Sequence, residues 1–155
     1  MERVRSQPHT VGLWATHIYL PVPAEIALDL PSGVEAESSP HLSLSKTLYL
    51  PRHHIEPMVN LLKSNLRGQS RFKASYIKWN LYQNEEQTRS FLALDVQGDG
   101  LAGLLKAVDS TVKAFGYPPF YQPPSFHVSV AWSTSQIELP SILAIPKETL
   151  AVDRV

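Results

Sequence analysis

Two segments, His41-Leu42-Ser43-Leu44-Ser45 and His127-Val128-Ser129-Val130-Ala131, repeat one pattern 86 residues apart: histidine, aliphatic, serine, aliphatic, small. Side chains of an extended strand alternate between faces, so each histidine shares a face with its serine and the aliphatics take the other. A chain with two such strands must bury both aliphatic faces, which leaves two His/Ser pairs on an open face. With sixteen serines and six histidines in 155 residues, about one His-x-Ser arises by accident, so a single copy is weak evidence. Two copies, each inside a period-two apolar run, weigh more. Two imidazoles and two hydroxyls suffice for phosphodiester chemistry without a metal.

At 43% hydrophobic, the 155 residues read as one globular domain with enough material for a core. The chain has no cysteine, which excludes a disulfide framework, a thiol nucleophile and a cysteine zinc site. No apolar run reaches membrane-spanning length, and Met1-Glu2-Arg3-Val4-Arg5 lacks the apolar stretch of a signal peptide. The expectation is a soluble intracellular chain that does not engage a membrane. Net charge is zero but unevenly spread: −3 over residues 1–40, +5 over 46–89 and −2 over 90–155. The middle block (Lys46, Arg52, Lys63, Arg67, Arg71, Lys73, Lys78, Arg89) suits a patch beside an anionic substrate, or simply a solvated helix face and strand edge.

Periodicity orders the elements. Leu13–Leu20 alternates and reads as one strand, ended by Pro21 and Pro23. Residues 23–40 read as at most one weak helical turn followed by a loop. The first His-x-Ser strand covers about 41–49. Ile55, Val59, Leu62 and Leu66 recur at helical spacing, with Gly68 as the stop. Strands at about 75–82 and 90–97 form a hairpin. Leu101, Leu104, Leu105, Val108, Val112 and Phe115 define a second helix, with Asp99 near its start and Gly116 after its end. The proline- and aromatic-rich segment Tyr117–Phe126 is a rigid connector into the second His-x-Ser strand. Two comparable halves, each giving one histidine strand, predict an α+β fold: two antiparallel sheets forming a central cleft, flanking helices and a pseudo-twofold.

The two His-x-Ser elements resemble the signature of the 2H phosphoesterase superfamily. Trp14-Ala15-Thr16-His17-Ile18-Tyr19, Arg52-His53-His54, Asn84 through Arg89, and Phe120-Tyr121-Gln122 through Trp132 further resemble the U6 snRNA phosphodiesterase family, over about residues 3–133. The resemblance implies a two-lobed 2H phosphoesterase-like fold. It also implies a metal-independent, nuclear 3′-to-5′ exoribonuclease that trims the oligouridine tail of U6 snRNA and leaves a 2′,3′-cyclic phosphate. His41 and His127 fall on the family's catalytic histidines, Ser43 and Ser129 on its phosphate-binding serines, and Tyr121 on an aromatic that stacks against a terminal base. Asn84, Arg89, Gln122 and Ser125 are candidate substrate contacts. The expected partner is RNA, and the expected form is a monomer without cofactor, metal or membrane.

Three departures from the family stand out. Residues 22–40 are short and proline-rich where relatives have a longer helical segment. Glu85 stands where glutamine is common. Only 26 residues follow Ser129, so the single domain, residues 1–155, is expected to lack a C-terminal helix and strand.

Cleavage of RNA needs a base for the 2′-OH, an acid for the departing 5′-oxygen and donors for the charged phosphorane. Histidine suits both proton transfers because its ordinary pKa of about 6.5 lies near working pH. His41 is read as base and His127 as acid, although the pattern is nearly symmetric. His17 reads as a buried or half-buried strand histidine, and Trp14, Trp79 and Trp132 as core. Arg89 reads equally as a phosphate contact or as an ion-pair partner of Glu85 or Glu86. Three alternatives remain: a 2H phosphodiesterase on small cyclic phosphates, a catalytically impaired truncated RNA-binding form, and a zinc hydrolase built on His17, His41 and His127.

Overall fold

β-branched and aromatic residues at alternate positions form the strands, and two apolar stripes at helical spacing form the helices. The structure is a computed structural model and describes residues 7–22, 29–138, 144–147 and 149–153. Its elements are β1 (Leu13–Thr16), β2 (Tyr19–Pro21), β3 (Glu35–Ala36), β4 (His41–Ser43), β5 (Leu48–Pro51), α1 (Arg52–Leu66), β6 (Phe72–Gln83), β7 (Ser90–Gln97), α2 (Leu101–Ala114), β8 (His127–Ser133) and β9 (Thr149–Val152). β1 and β5 form a two-stranded ribbon. The larger sheet runs β2-β4-β8-β7-β6-β9, with β3 also on β8, and its pairings are antiparallel. β4 and β8 meet at one pairing, Leu42 opposite Val128. The sheet is therefore two parts, β2–β4 and β8–β7–β6–β9, joined at a seam between the two histidine strands. The α+β class, the antiparallel sheets and the two helices are as expected.

Under the seam lies the core. Leu42, Leu94 and Val128 have no exposed surface and pack with Leu48, Leu50, Val96, Met58, Leu104, Val108 and Val112. The two helices pack on each other, and Asn65 Nδ2 donates to Thr111 Oγ1 across them at 2.9 Å. Gly100 precedes α2 where any Cβ would strike the Phe72 ring, so glycine lets β6 and α2 start side by side. In α1 the predicted stripe holds at Ile55, Leu62 and Leu66, while Val59 faces out and Met58 faces in. Arg67, one residue before Gly68, caps that helix. Asp99 does not cap α2; Gly100 occupies the N-cap position, without a side-chain bond.

Two predicted strands each split in two. Leu13–Leu20 breaks at His17-Ile18, and 41–49 breaks at residues 44–47. Before the break Thr16 pairs with Leu48; beyond it Tyr19 pairs with Ser43. Two residues thus oppose four, and the double strand bends from the ribbon into the main sheet. Ile18 holds the bend: its carbonyl accepts from Leu44 and Ser45 N–H, and its own N–H donates to Ser45 Oγ at 2.9 Å. Of the stretch read as weak turn and loop, residues 23–28 lie outside the described residues. The rest contains a turn, with Val34 N–H donating to Pro31 at 3.2 Å and Gly33 at φ +82°, and then β3. β9, which sequence did not foretell, covers the β6 edge from Phe72 to Ser75.

Candidate active site

Strand register assembles the site. With Leu42 opposite Val128, one step along the antiparallel pair sets Ser43 beside His127 and His41 beside Ser129. The neighbouring registers extend both pairs across the sheet. One row reads Tyr19, Ser43, His127, Asp95, Lys78; the other reads Pro21, His41, Ser129, Ala93, Asn80. Both lie on the face away from Leu42, Val128 and Leu94, because alternation sends those to the core. The structure therefore brings His41, Ser43, His127 and Ser129 together on one face.

Both imidazoles are anchored alike. His41 Nδ1 lies 2.8 Å from the Ser39 carbonyl, and His127 Nδ1 lies 2.8 Å from the Ser125 carbonyl, each two residues upstream. A carbonyl only accepts, so each Nδ1 carries a proton in either charge state. Nε2 is then the nitrogen that gains or loses one.

The surroundings of the two histidines differ. Beside His41 stand Tyr19, with ring centroids 5.0 Å apart, and His17, at 5.2 Å and edge-on. His17 Nε2 is 3.1 Å from Ser43 Oγ. Burial first, and then neighbouring His41, pushes the His17 pKa down to about 4. Beside His127 lies Tyr82, stacked at 3.8 Å and 12°. The Tyr82 hydroxyl donates to Asp95 Oδ1 at 2.6 Å and is also 2.6 Å from Ser125 Oγ. Asp95 is buried, accepts from Asn80 Nδ2 at 3.3 Å and lies 3.7 Å from Lys78 Nζ. The His127 pKa is lowered, by burial above all and by His41 to a lesser degree; the Ser125 carbonyl and the Asp95 carboxylate pull the other way. Burial and the hydrogen bond to Asp95 raise the Tyr82 pKa.

Tyr121 is 45% exposed, whereas neighbouring Phe120 is buried and its N–H donates to Asp109 Oδ1 at 2.8 Å. The connector is thereby pinned to α2 with Tyr121 turned outward. Lys46 Nζ sits 4.3 Å from the Tyr121 ring centroid and 3.4 Å from Glu85 Oε1. Burial first, then the hydrogen bond to Glu85, pushes the Tyr121 pKa up to about 12. Ser125 is tied to both Tyr82 and His127, and Gln122 is exposed. The Asn84 side chain closes the β6–β7 link: Oδ1 accepts from Thr88 and Arg89 N–H, and Nδ2 donates to Glu86 and Thr88. The Arg89 guanidinium lies 5.5 Å from the Trp132 ring centroid. Of Glu85 and Glu86, Glu85 has Lys46 as its ion partner.

Sequence reasoning placed His17 inside a strand. It sits instead at the bend between β1 and β2, because the chain changes sheets there, and it reaches Ser43. Its place in the Trp14–Tyr19 motif was the available signal. Asp95 and Tyr82 had none, since only cross-strand register brings them to His127. Among the described residues, no three histidines or carboxylates are set to share a metal ion, and no helix is long and apolar enough to cross a membrane.

The class the fold defines is an α+β protein whose antiparallel sheet carries two His-x-Ser strands side by side over a helix-backed core. The chain belongs to the HVSL family, described as an uncharacterised conserved protein, which it matches over residues 24–151. It is 38% identical over 146 residues to U6 snRNA phosphodiesterase 1 of Danio rerio, covering 84% of this chain and 52% of the relative. It is 37% identical over 152 residues to U6 snRNA phosphodiesterase 1 of Rattus norvegicus, covering 88% and 57%. The solved structure of Kluyveromyces marxianus Usb1 with uridine monophosphate is similar with a TM-score of 0.48 and 23% identity, over 62% of this chain and 49% of that one. The chain thus spans little more than half the length of the curated relatives it matches.

Proposed function

We propose that this protein is an RNA phosphodiesterase: a metal-independent 3′-to-5′ exoribonuclease acting on the oligouridine end of U6 snRNA, as a monomer in the nucleus. The observation that carries the chemistry is the double row of Ser43/His127 and His41/Ser129 with both Nδ1 atoms bonded to carbonyls. The substrate reading draws on relatives that bear the name U6 snRNA phosphodiesterase 1.

RNA brings its own nucleophile, so no metal is called for. His41 Nε2 takes the proton of the penultimate 2′-OH. The 2′-oxygen attacks the adjacent phosphorus, the bond from phosphorus to the terminal 5′-oxygen breaks, and His127 Nε2–H protonates that oxygen. The products are a terminal nucleoside and an RNA end carrying a 2′,3′-cyclic phosphate. Ser43 and Ser129 donate to the non-bridging oxygens as charge builds on them. Asp95, next to His127 in its row, stabilises the imidazolium that the acid needs. Exposed Tyr121 stacks on a base, a contact worth about 1–3 kcal/mol and tolerant of base identity.

The test is cleavage of a 5′-labelled oligouridine in EDTA, comparing the intact chain with His41→Ala and His127→Ala. One-nucleotide laddering from the 3′ end is expected, with each variant slower by about 10²–10⁴-fold. Turnover of a cyclic nucleotide with the oligouridine untouched would move the reading to a small-substrate phosphodiesterase. Oligouridine binding that survives both substitutions, with no cleavage by the intact chain, would make it an RNA-binding protein.

A further inference from the structure

His17 is a third imidazole at the site, and a two-histidine reaction leaves it without a task. Its Nε2 is 3.1 Å from Ser43 Oγ, and its ring meets His41 edge-on at 5.2 Å and Tyr19 at 5.4 Å. A serine hydroxyl has one proton and two lone pairs. If His17 Nε2 accepts, that proton is spent inside the protein and Ser43 meets an anionic phosphate with lone pairs only. If Nε2 carries the hydrogen, it donates to Ser43 Oγ and leaves the hydroxyl proton free to point at a phosphate oxygen.

We propose that His17 is the positioning residue for Ser43, held as the neutral Nε2–H tautomer so that Ser43 acts as a pure donor to the phosphate. This rests on the phosphodiesterase reading above. The field of the bound phosphate favours the same tautomer, because it sets the N–H end of the ring dipole toward the negative charge. Neutrality also matters. A charged His17 at this distance would oppose protonation of His41, and burial keeps His17 neutral at working pH. The partner histidine thus supplies direction without adding a second cation.

Nitrogen-15 NMR of the full chain with labelled histidine, at neutral pH and without substrate, reads the tautomer directly. A protonated Nε2 on His17 supports the assignment; a protonated Nδ1 with bare Nε2 overturns it. Because this readout needs no turnover, it still decides the role of His17 if the chain leaves oligouridine intact and the exonuclease reading fails. In the cleavage assay, His17→Phe should slow kcat about tenfold, the size of one hydrogen bond at the upper end of its usual range. His17→Gln, whose amide can donate to Ser43, should restore most of the loss. Adding His17→Phe to Ser43→Ala should cost nothing further, since both remove one donor. An undiminished tenfold loss in the Ser43→Ala background, with thermal unfolding unchanged, would overturn the pairing.

Discussion

The β4 half and the β8 half of the site share a motif and differ in what holds it. Each histidine gives Nδ1–H to a carbonyl two residues upstream, and each serine lies across the seam from the other half's histidine. Beyond those four side chains the twofold ends. His41 rests on a short strand with a neutral histidine and a tyrosine around it. His127 rests mid-sheet, between β4 and β7, beneath a stacked tyrosine and next to a buried carboxylate. The symmetry belongs to the four motif side chains and the asymmetry to their supports. Acid–base chemistry needs this combination: two like groups that begin in unlike protonation states.

The largest blow to that comparison falls on the joint between the halves. Leu42 is wholly buried opposite Val128, so Leu42→Ala should cost about 2–5 kcal/mol of stability in urea unfolding. A change near zero would mean that the halves are not packed on each other through this pair.

A smaller perturbation separates the roles of the two histidines. The Asp95 carboxylate raises the His127 pKa against the larger effect of burial. Asp95→Asn removes that lift and lowers the pKa further. If His127 is the acid, it must be protonated to work, so the alkaline limb of the pH–rate bell should move to lower pH. Movement of the acid limb instead would make His127 the base and His41 the acid.

The last effect is a pH dependence of stability. His17 holds its pKa at about 4 when folded, against about 6.5 for a free histidine. The unfolded chain therefore binds the proton first as pH falls. The resulting stabilisation is complete above about pH 6.5 and is lost between there and about pH 4. Thermal unfolding between pH 7 and 4 should show a shallower acid decline in His17→Gln than in the intact chain. Equal slopes would remove His17 from the balance.

What could be read from the sequence was local. His41-x-Ser43 and His127-x-Ser129 were visible because alternation is a property of consecutive residues. β7 was read at its observed bounds, and α2 within a residue of its end, for the same reason. The breaks at His17-Ile18 and at residues 44–47 were not visible. The period-two pattern continues beyond both, interrupted only by Lys46 at the second, and the change of sheet is dictated by the partner strands. Asp95 looked like any strand carboxylate until register set it beside His127. Asn84, a candidate contact in sequence, spends its side-chain amide on a turn whose hydrogen bonds reach four and five residues ahead.

Tyr82 lies flat over the His127 ring, and the Ser125 carbonyl occupies Nδ1. On the proposed reaction, the ring's one working nitrogen is also the one that faces the substrate. Once it has released its proton, it cannot be recharged from behind; a fresh proton must arrive through the space the leaving nucleoside has just vacated. A product that lingers therefore slows the protein twice, by filling the site and by keeping the acid discharged. On the proposed reaction, turnover would be timed by departure, and excess nucleoside should inhibit more strongly in alkaline solution, where protons are scarce.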